Sequence, residues 1–462
     1  MKTARTPLSS RACRLALALC ASALGCSSGP ASSGDVLLIS VDTLRPDHLS
    51  SYGYERGTSP QLERWFEDAA IFERAYTAHA STPPSVVSIL SGQHPPEHRV
   101  RLFFQLLPDE TRVLPDWLPE RYQSAAFVSN GVLTDEALGM AGRFDHYDDH
   151  VDERESTRKV FERSAGRTTD AALAWLATQR DPTRPLFLWL HYIDPHGPYR
   201  APDAAPARFA HEKQVPVQWE RIRDYQRDLR VADALDFVDR YDEEIAYVDA
   251  EIDRLLRGYA SRADIDAALV VFTADHGESM IEHERWFTHG YEVYEEIIRV
   301  PLMLRGPGVV SGRFDELVST IDVAPTILRH LGVPQPKALP GTALQQLAPD
   351  AAERTVYAEG GEGTTHLRAA IQGRDKWVAR MSTGVRMPHA RVRFDLRADP
   401  HEQAPQQGGA LPPELLARCQ LDPDPGGQPA FARRGAPLEG AKVAPRASPE
   451  DLERLRALGY VE

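Results

Sequence analysis

Asp35-Val36-Leu37-Leu38-Ile39-Ser40-Val41-Asp42-Thr43-Leu44-Arg45 begins as a short apolar, β-branched run and ends in charge. A half-buried strand alternates apolar and polar residues. This run does not, so it reads as a strand buried on both faces, of the parallel kind that needs helices above and below it. Further stretches repeat the pattern. Ser124-Ala125-Ala126-Phe127-Val128 ends at Asn130, and Leu186-Phe187-Leu188-Trp189-Leu190 ends at His191-Tyr192-Ile193-Asp194-Pro195-His196-Gly197-Pro198. Ala267-Ala268-Leu269-Val270-Val271-Phe272 ends at Thr273-Ala274-Asp275-His276-Gly277-Glu278. Helical signals lie between them. Ser59-Pro60 opens a helix through about Ala69. Thr169 to Gln179 places Ala172, Trp175 and Leu176 on one face, and Tyr241 to Tyr259 does the same with Ile245, Val248, Ile252 and Leu255. Alternating strands and helices predict a doubly wound α/β sheet. Ligands bind such sheets outside the carboxyl ends of the strands, where Asp42, Asn130, His191 and Asp275 all fall.

One helix signal stands apart. Ala80-Ser81-Thr82-Pro83-Pro84-Ser85-Val86-Val87-Ser88-Ile89-Leu90-Ser91-Gly92 reads as a loop turning into a helix. Thr82 takes the N-cap, Pro83 the first helical position and Gly92 the place just past the end. Alone, that is a capping threonine. Set beside strands that end in Asp and His, it is a hydroxyl at a helix N-terminus, where an anionic ester would dock.

The chain has 462 residues, enough for one large domain and a smaller one. Its formal charge of -14 argues against a nucleic-acid backbone as partner. Residues 1–25 read as a leader: Lys2, Arg5, Arg11 and Arg14 precede the apolar run Leu15 to Leu24, which is too short to span a bilayer. Ala23-Leu24-Gly25-Cys26 resembles a bacterial lipoprotein cleavage box. It implies a lipid on Cys26, a tether over residues 26–34, and a cell-envelope location on the periplasmic side of the outer membrane or the cell surface. An ordinary secretory signal is the alternative. Cys13 and Cys20 leave with the leader, so Cys419 has no partner but Cys26 and no disulfide framework exists.

Residues 35–335 read as the main domain and 336–462 as a C-terminal subdomain, where the composition changes. Ala369 to Arg380 and Val392 to Leu396 read as strands of a small sheet. Residues 404–446 are Pro/Gly-rich and read as an exposed loop, before a last helix that Ser448-Pro449 caps and Gly459 ends. Residues 201–235 carry mixed charge without a period and read as a substrate-side insertion or a lid.

Taken together, these stretches resemble the sulfatase family of the alkaline-phosphatase superfamily. The resemblance rests on Val41-Asp42-Thr43-Leu44-Arg45-Pro46-Asp47-His48-Leu49 with Tyr52-Gly53-Tyr54, on Pro84-Ser85 with Ser91-Gly92, on His191 to Pro198, and on Phe272 to Glu278. Tyr294-Glu295-Glu296 with Arg299-Val300-Pro301-Leu302, Asp395-Leu396 with Ala398-Asp399-Pro400, and Leu455 to Tyr460 extend it over nearly the whole mature chain. It implies a sulfatase-like mixed sheet flanked by helices, with a small C-terminal α+β subdomain.

The departures are informative. The family's nucleophile motif is Cys or Ser, any residue, Pro, Ser, Arg; here it reads Thr82-Pro83-Pro84-Ser85-Val86. Oxidation of a secondary alcohol gives a ketone, so the formylglycine aldehyde of sulfatases is closed to Thr82. The Gly-Lys-x-x-His signature is replaced by Ser124 to Asn130, and the usual Asp-Asp pair by Asp42-Thr43. The pattern resembles the superfamily's threonine branch, which includes phosphodiesterases and phosphoglycerol or phosphoethanolamine transferases.

That resemblance implies one divalent metal ion (Mn, Zn, Mg or Ca) on Asp42, Thr82, Asp275 and His276, with Thr82 as metal-bound nucleophile. A metal makes a hydroxyl nucleophilic as it acidifies bound water. Donors to the developing charge are expected from His196, His289, Asn130 and His191. His191 reads equally as a buried structural histidine, and Asn130 as a turn residue. Arg45 would hold Asp42 or the anion. Asp194 and His196 are the candidates for a second metal. The expected activity is hydrolysis of an anionic sulfate or phosphate ester of a glycan, lipid headgroup or small molecule. The alternatives are a phosphodiesterase or phosphoglycerol/phosphoethanolamine transferase, and a non-catalytic binding lipoprotein of the same fold.

Overall fold

The computed structural model describes residues 34–151, 162–201, 209–337, 339–346, 354–362, 365–382 and 387–421. The leader, Cys26, the tether up to residue 33, and the expected last helix near Ser448 lie outside them, as does the Pro/Gly-rich stretch beyond residue 421.

The main sheet has nine strands: β1 (Val36–Val41), β2 (Ala70–Tyr76), β3 (Gln123–Val128), β4 (His146–Asp148), β5 (Leu186–Tyr192), β6 (Leu269–Ala274), β7 (Arg299–Val300), β8 (Leu302–Arg305) and β9 (Gly312–Ser319). The order is β4-β3-β5-β1-β6-β8-β2-β7, with β9 also on β2. β1 lies at the centre, parallel to β5 and β6 and fully buried, as its unbroken apolar run requires. The register aligns the strand ends. Ser40 pairs with both His191 and Thr273, and Val128 pairs with His191. Asn130, His191, Asp42 and Asp275 therefore leave the sheet along one edge. β8 and β7 run antiparallel to their neighbours, so the sheet is mixed.

Helices cover both faces. The longest, Leu235–Ala260, buries Tyr241, Ile245, Val248, Ile252 and Leu255 along one stripe. Burying each such side chain stabilises by about 1.5–3 kcal/mol. Several boundaries differ from the sequence reading. The Pro60 helix stops at Trp65, and Ala70–Tyr76 is a strand. The Thr169 helix starts a turn earlier, at Ala165, and the 241–259 helix starts at Leu235.

The second sheet is an antiparallel meander of five strands: β10 (Thr355–Glu362), β11 (Thr365–Gln372), β12 (Asp375–Ser382), β13 (Ala390–Asp395) and β14 (Gln406–Gln407). The single strand expected over 369–380 is a hairpin turning at Gly373, where φ is +58°. A helix, Pro413–Leu421, occupies part of the stretch read as a loop. β10 docks on the segment before Thr82: the Ala80 N–H donates to Glu359 O at 2.9 Å and the Glu359 N–H to Ala78 O at 3.0 Å. Among the described residues no helix is long and apolar enough to cross a membrane.

Candidate active site

The Thr82–Ser91 helix buries every one of its residues and ends at Gly92 in the left-handed conformation. Its cap is Ser81, not Thr82: Ser81 is extended and Thr82 is the first helical residue. The Ser81 hydroxyl lies 2.9 Å from His79 Nδ1. The Thr82 hydroxyl is thereby released from capping. It sits 3.2 Å from His276 Nε2 and 3.5 Å from Asp42 Oδ2. Pro83 and Pro84 carry no N–H, so this helix start offers an anion its dipole but few backbone donors.

Asp42, Asp275 and His276 are fully buried, with ligand atoms that all lie within 4.8 Å of one another. Asp275 Oδ1 accepts from the N–H groups of His276 at 2.8 Å and Thr43 at 3.3 Å. Thr43, a β-branched residue, holds φ at +54°, a strained conformation that the strand end imposes. Asp275 Oδ2 and Asp42 Oδ1 have no hydrogen-bond partner. His276 Nδ1 faces Gly277 O at 2.9 Å, which only accepts, so the proton sits on Nδ1 and the Nε2 lone pair points at the carboxylates. Burial, then His289, lowers His276 to about 3, so it is neutral at physiological pH. Burial and Asp42 push Asp275 well above the usual carboxylate range. Burial would raise Asp42 too, but His191, His196 and His276 outweigh it and hold Asp42 low. Two carboxylates with orphaned oxygens, a neutral imidazole lone pair and a hydroxyl form a donor set that fits a divalent cation.

The other expected residues gather around this set. Asn130 donates from Nδ2 to Asp42 Oδ2 at 2.6 Å, and its Oδ1 accepts from the Val132 N–H. His191 Nε2 lies 3.6 Å from Asp42 Oδ2, while Nδ1 meets Ser40 Oγ at 3.0 Å. His196 Nδ1 donates to Gly197 O at 2.7 Å. The His289 ring is 4.5 Å from that of His276 and 5.0 Å from that of His196, and its Nδ1 is 3.2 Å from Glu278. A cleft of about 480 Å³ opens on His289, lined in part by Arg221, Tyr291, Glu296 and Arg380.

Two expectations change. Arg45 holds neither Asp42 nor an anion site: its guanidinium is spent on Asp47 at 2.7 Å and Glu282 at 2.7 Å. Asp194 Oδ2 accepts from the Ala165 N–H at 2.8 Å and so is turned toward a helix start. Ser40 and Glu278, which orient His191 and His289, went unread, although the second closes the Asp275-His276-Gly277-Glu278 run. Tyr225, stacked on His196 with ring centres 6.3 Å apart, comes from the aperiodic insertion and left no signal.

Known proteins bear on this arrangement. An arylsulfatase of Clostridium perfringens is 22% identical over 437 residues, covering 80% of this chain and 89% of that one. Among solved structures, a phosphonate monoester hydrolase of Agrobacterium radiobacter superposes with a TM-score of 0.60 at 17% identity, over 80% of this chain and 91% of that one. A protein solved in complex with its substrate D-glucosamine-2-N,6-O-disulfate gives 0.63 at 19% identity, over 80% and 92%. The sulfatase family model matches residues 34–333. With the mixed sheet, the strand-end carboxylates and the Asp275-His276-Gly277 turn in place, the chain belongs to the sulfatase family of the alkaline-phosphatase superfamily, whose members are hydrolases of sulfuric and phosphoric esters.

Proposed function

We propose that this chain hydrolyses anionic esters with Thr82 as nucleophile, and favours phosphate over sulfate esters. The observation that carries this is the Thr82 hydroxyl, uncapped and fully buried, 3.2 Å from His276 Nε2 and beside Asp42. Asp42, Asp275, His276 and the Thr82 oxygen would hold a divalent ion, which when bound supplies Lewis acidity. Thr82 Oγ1 gives its proton to Asp42 Oδ2, toward which the hydroxyl is directed at 3.5 Å, and attacks the phosphorus (or sulfur); the bond from Oγ1 forms as the bond to the alcohol oxygen breaks. His289, whose Nδ1 faces the Glu278 carboxyl at 3.2 Å, gives that departing oxygen a proton from Nε2; burial pushes Glu278 up to about 8, so its own proton is at hand for Nδ1, and Asn130 keeps Asp42 oriented during the exchange. Water then cleaves the threonyl ester and frees the anion. Formylglycine releases sulfate by elimination, but a sulfated threonine needs attack of water at sulfur, hence the preference for phosphate.

The test is a panel of aryl sulfates, phosphate monoesters and phosphate diesters on wild type and Thr82 variants. Thr82→Ala should lose about 10³-fold or more in turnover, while Thr82→Ser keeps a part. Thr82→Cys should gain no sulfatase activity, because Val86 still breaks the modification signal. Unchanged turnover in Thr82→Ala would leave only the family assignment standing.

A further inference from the structure

The insertion that follows the His196 loop is docked beside the site by one short segment. The Trp286 N–H donates to Arg221 O at 2.9 Å, and Ile222 pairs with Trp286. The Arg221 side chain returns the contact. Its Nη1 donates to His283 O at 3.1 Å, and its guanidinium lies over the Trp286 ring, 5.3 Å from the ring centre. A carbonyl and a ring thus fix the plane of a cation. Nε and Nη2 of Arg221 have no hydrogen-bond partner among the described residues, and none of those residues sets a carboxylate at ion-pair distance from it. Arg221 lines the same cleft of about 480 Å³ as His289, the proposed donor to the departing oxygen. The cleft's carboxyls are engaged elsewhere. Glu282 is taken by Arg45 at 2.7 Å and by the Met280 N–H, and Glu402 by Lys376 at 2.8 Å. Glu292 faces Arg380, which comes from β12, at 3.9 Å. Burial, with Glu282, pushes Glu296 up to about 8, so it is uncharged at physiological pH. A guanidinium edge with two parallel N–H groups left open matches the two oxygens of an oxyanion.

We propose that Arg221 is a specificity-determining residue that binds a second oxyanion, carried by the alcohol side of the ester. The substrate class is therefore an ester with two anionic groups: one is cleaved at Thr82, and the other is held where the insertion meets the Trp286 loop. This rests on the ester-hydrolase reading above.

The experiment uses para-carboxyphenyl phosphate and para-phosphonophenyl phosphate, each with a second anion, and para-carbamoylphenyl phosphate, the neutral amide of the first. Arg221→Gln should lose about tenfold or more in kcat/KM, mostly through KM, for at least one anionic ester, and less than about twofold for the amide. The anionic ester that loses more tells a planar oxyanion from a tetrahedral one. Arg221→Lys, which keeps the charge without the fork, should fall between, and it is read alone if Arg221→Gln does not fold. An equal change for all three esters in the variant that folds, or none for any, overturns the proposal and leaves Arg221 as a brace for the Trp286 loop. Calorimetric binding of the same compounds to Thr82→Ala protein, with and without the Arg221 substitution, reads recognition without turnover. Selective weakening for an anionic ester there supports Arg221 even if wild type hydrolyses none of the three, an outcome that removes the ester-hydrolase reading alone. Where none is hydrolysed, absent or unselective binding overturns the proposal as well.

Discussion

The molecule buries two clusters of charge and completes them in opposite ways. Under the second sheet, Lys376 is wholly buried, yet its ammonium lies 2.8 Å from Glu402 and 3.2 Å from Glu295. At the carboxyl edge of the main sheet, Asp42 and Asp275 are as deeply buried, yet each keeps an oxygen without a hydrogen-bond partner, and the His276 imidazole beside them is neutral. Burial alone therefore says nothing about role. A buried charge that the chain itself pairs is part of the scaffold; one it leaves open is held for something that arrives.

The largest effect that could break this contrast is on metal content. Asp275→Asn and His276→Ala should each leave the purified protein with less than about a tenth of the wild-type metal and no turnover. Both should remain folded, since neither removes a paired charge. Full occupancy by elemental analysis in both variants would end the ligand assignment. On the other side, Lys376→Met strips the countercharge from two carboxylates and should cost about 3–5 kcal/mol in denaturant unfolding. Turnover per folded molecule should be unchanged, and adding Glu402→Gln should recover part of the loss. A stable Lys376→Met protein would show that the paired cluster is dispensable.

The smallest effect is on the pH dependence of stability. Burial, reinforced by Glu282, pushes Glu296 up to about 8. The folded chain thus keeps a proton that the unfolded chain sheds near 4.5. That contribution is complete below the unfolded value and fades as pH climbs to about 8. Glu296→Gln stays neutral throughout. The two proteins should melt alike in acid, and the variant should melt a few degrees higher above about pH 8. Parallel melting curves across the whole range would mean that Glu296 titrates normally.

The central strands were legible because parallel strands buried on both faces leave unbroken apolar runs, as in Val36–Val41 and Leu186–Tyr192. β2 was not, since Glu73 and Arg74 interrupt it and the helical signal before it runs on through Ala69. The hairpin at Gly373 was read as one strand because the turn spans only Gly373 and Arg374. Asp42, Thr82, Asp275 and His276 could be chosen by motif and strand end, and the fold brings them together. Arg45 could not, because its partner Glu282 is distant in sequence and the pairing depends on how the loop after β6 turns back.

The Ala80–Glu359 hydrogen bond joins an early part of the chain to a late one. During synthesis Thr82 leaves the ribosome long before the strand that pairs with its approach segment exists. A fragment ending with the family-matched region, at residue 333, would contain Asp42, Thr82, Asp275 and His276 and still lack that strand. The segment that leads into Thr82 is thus held by a strand translated far later, and its hydrogen bonds close only when that last sheet forms.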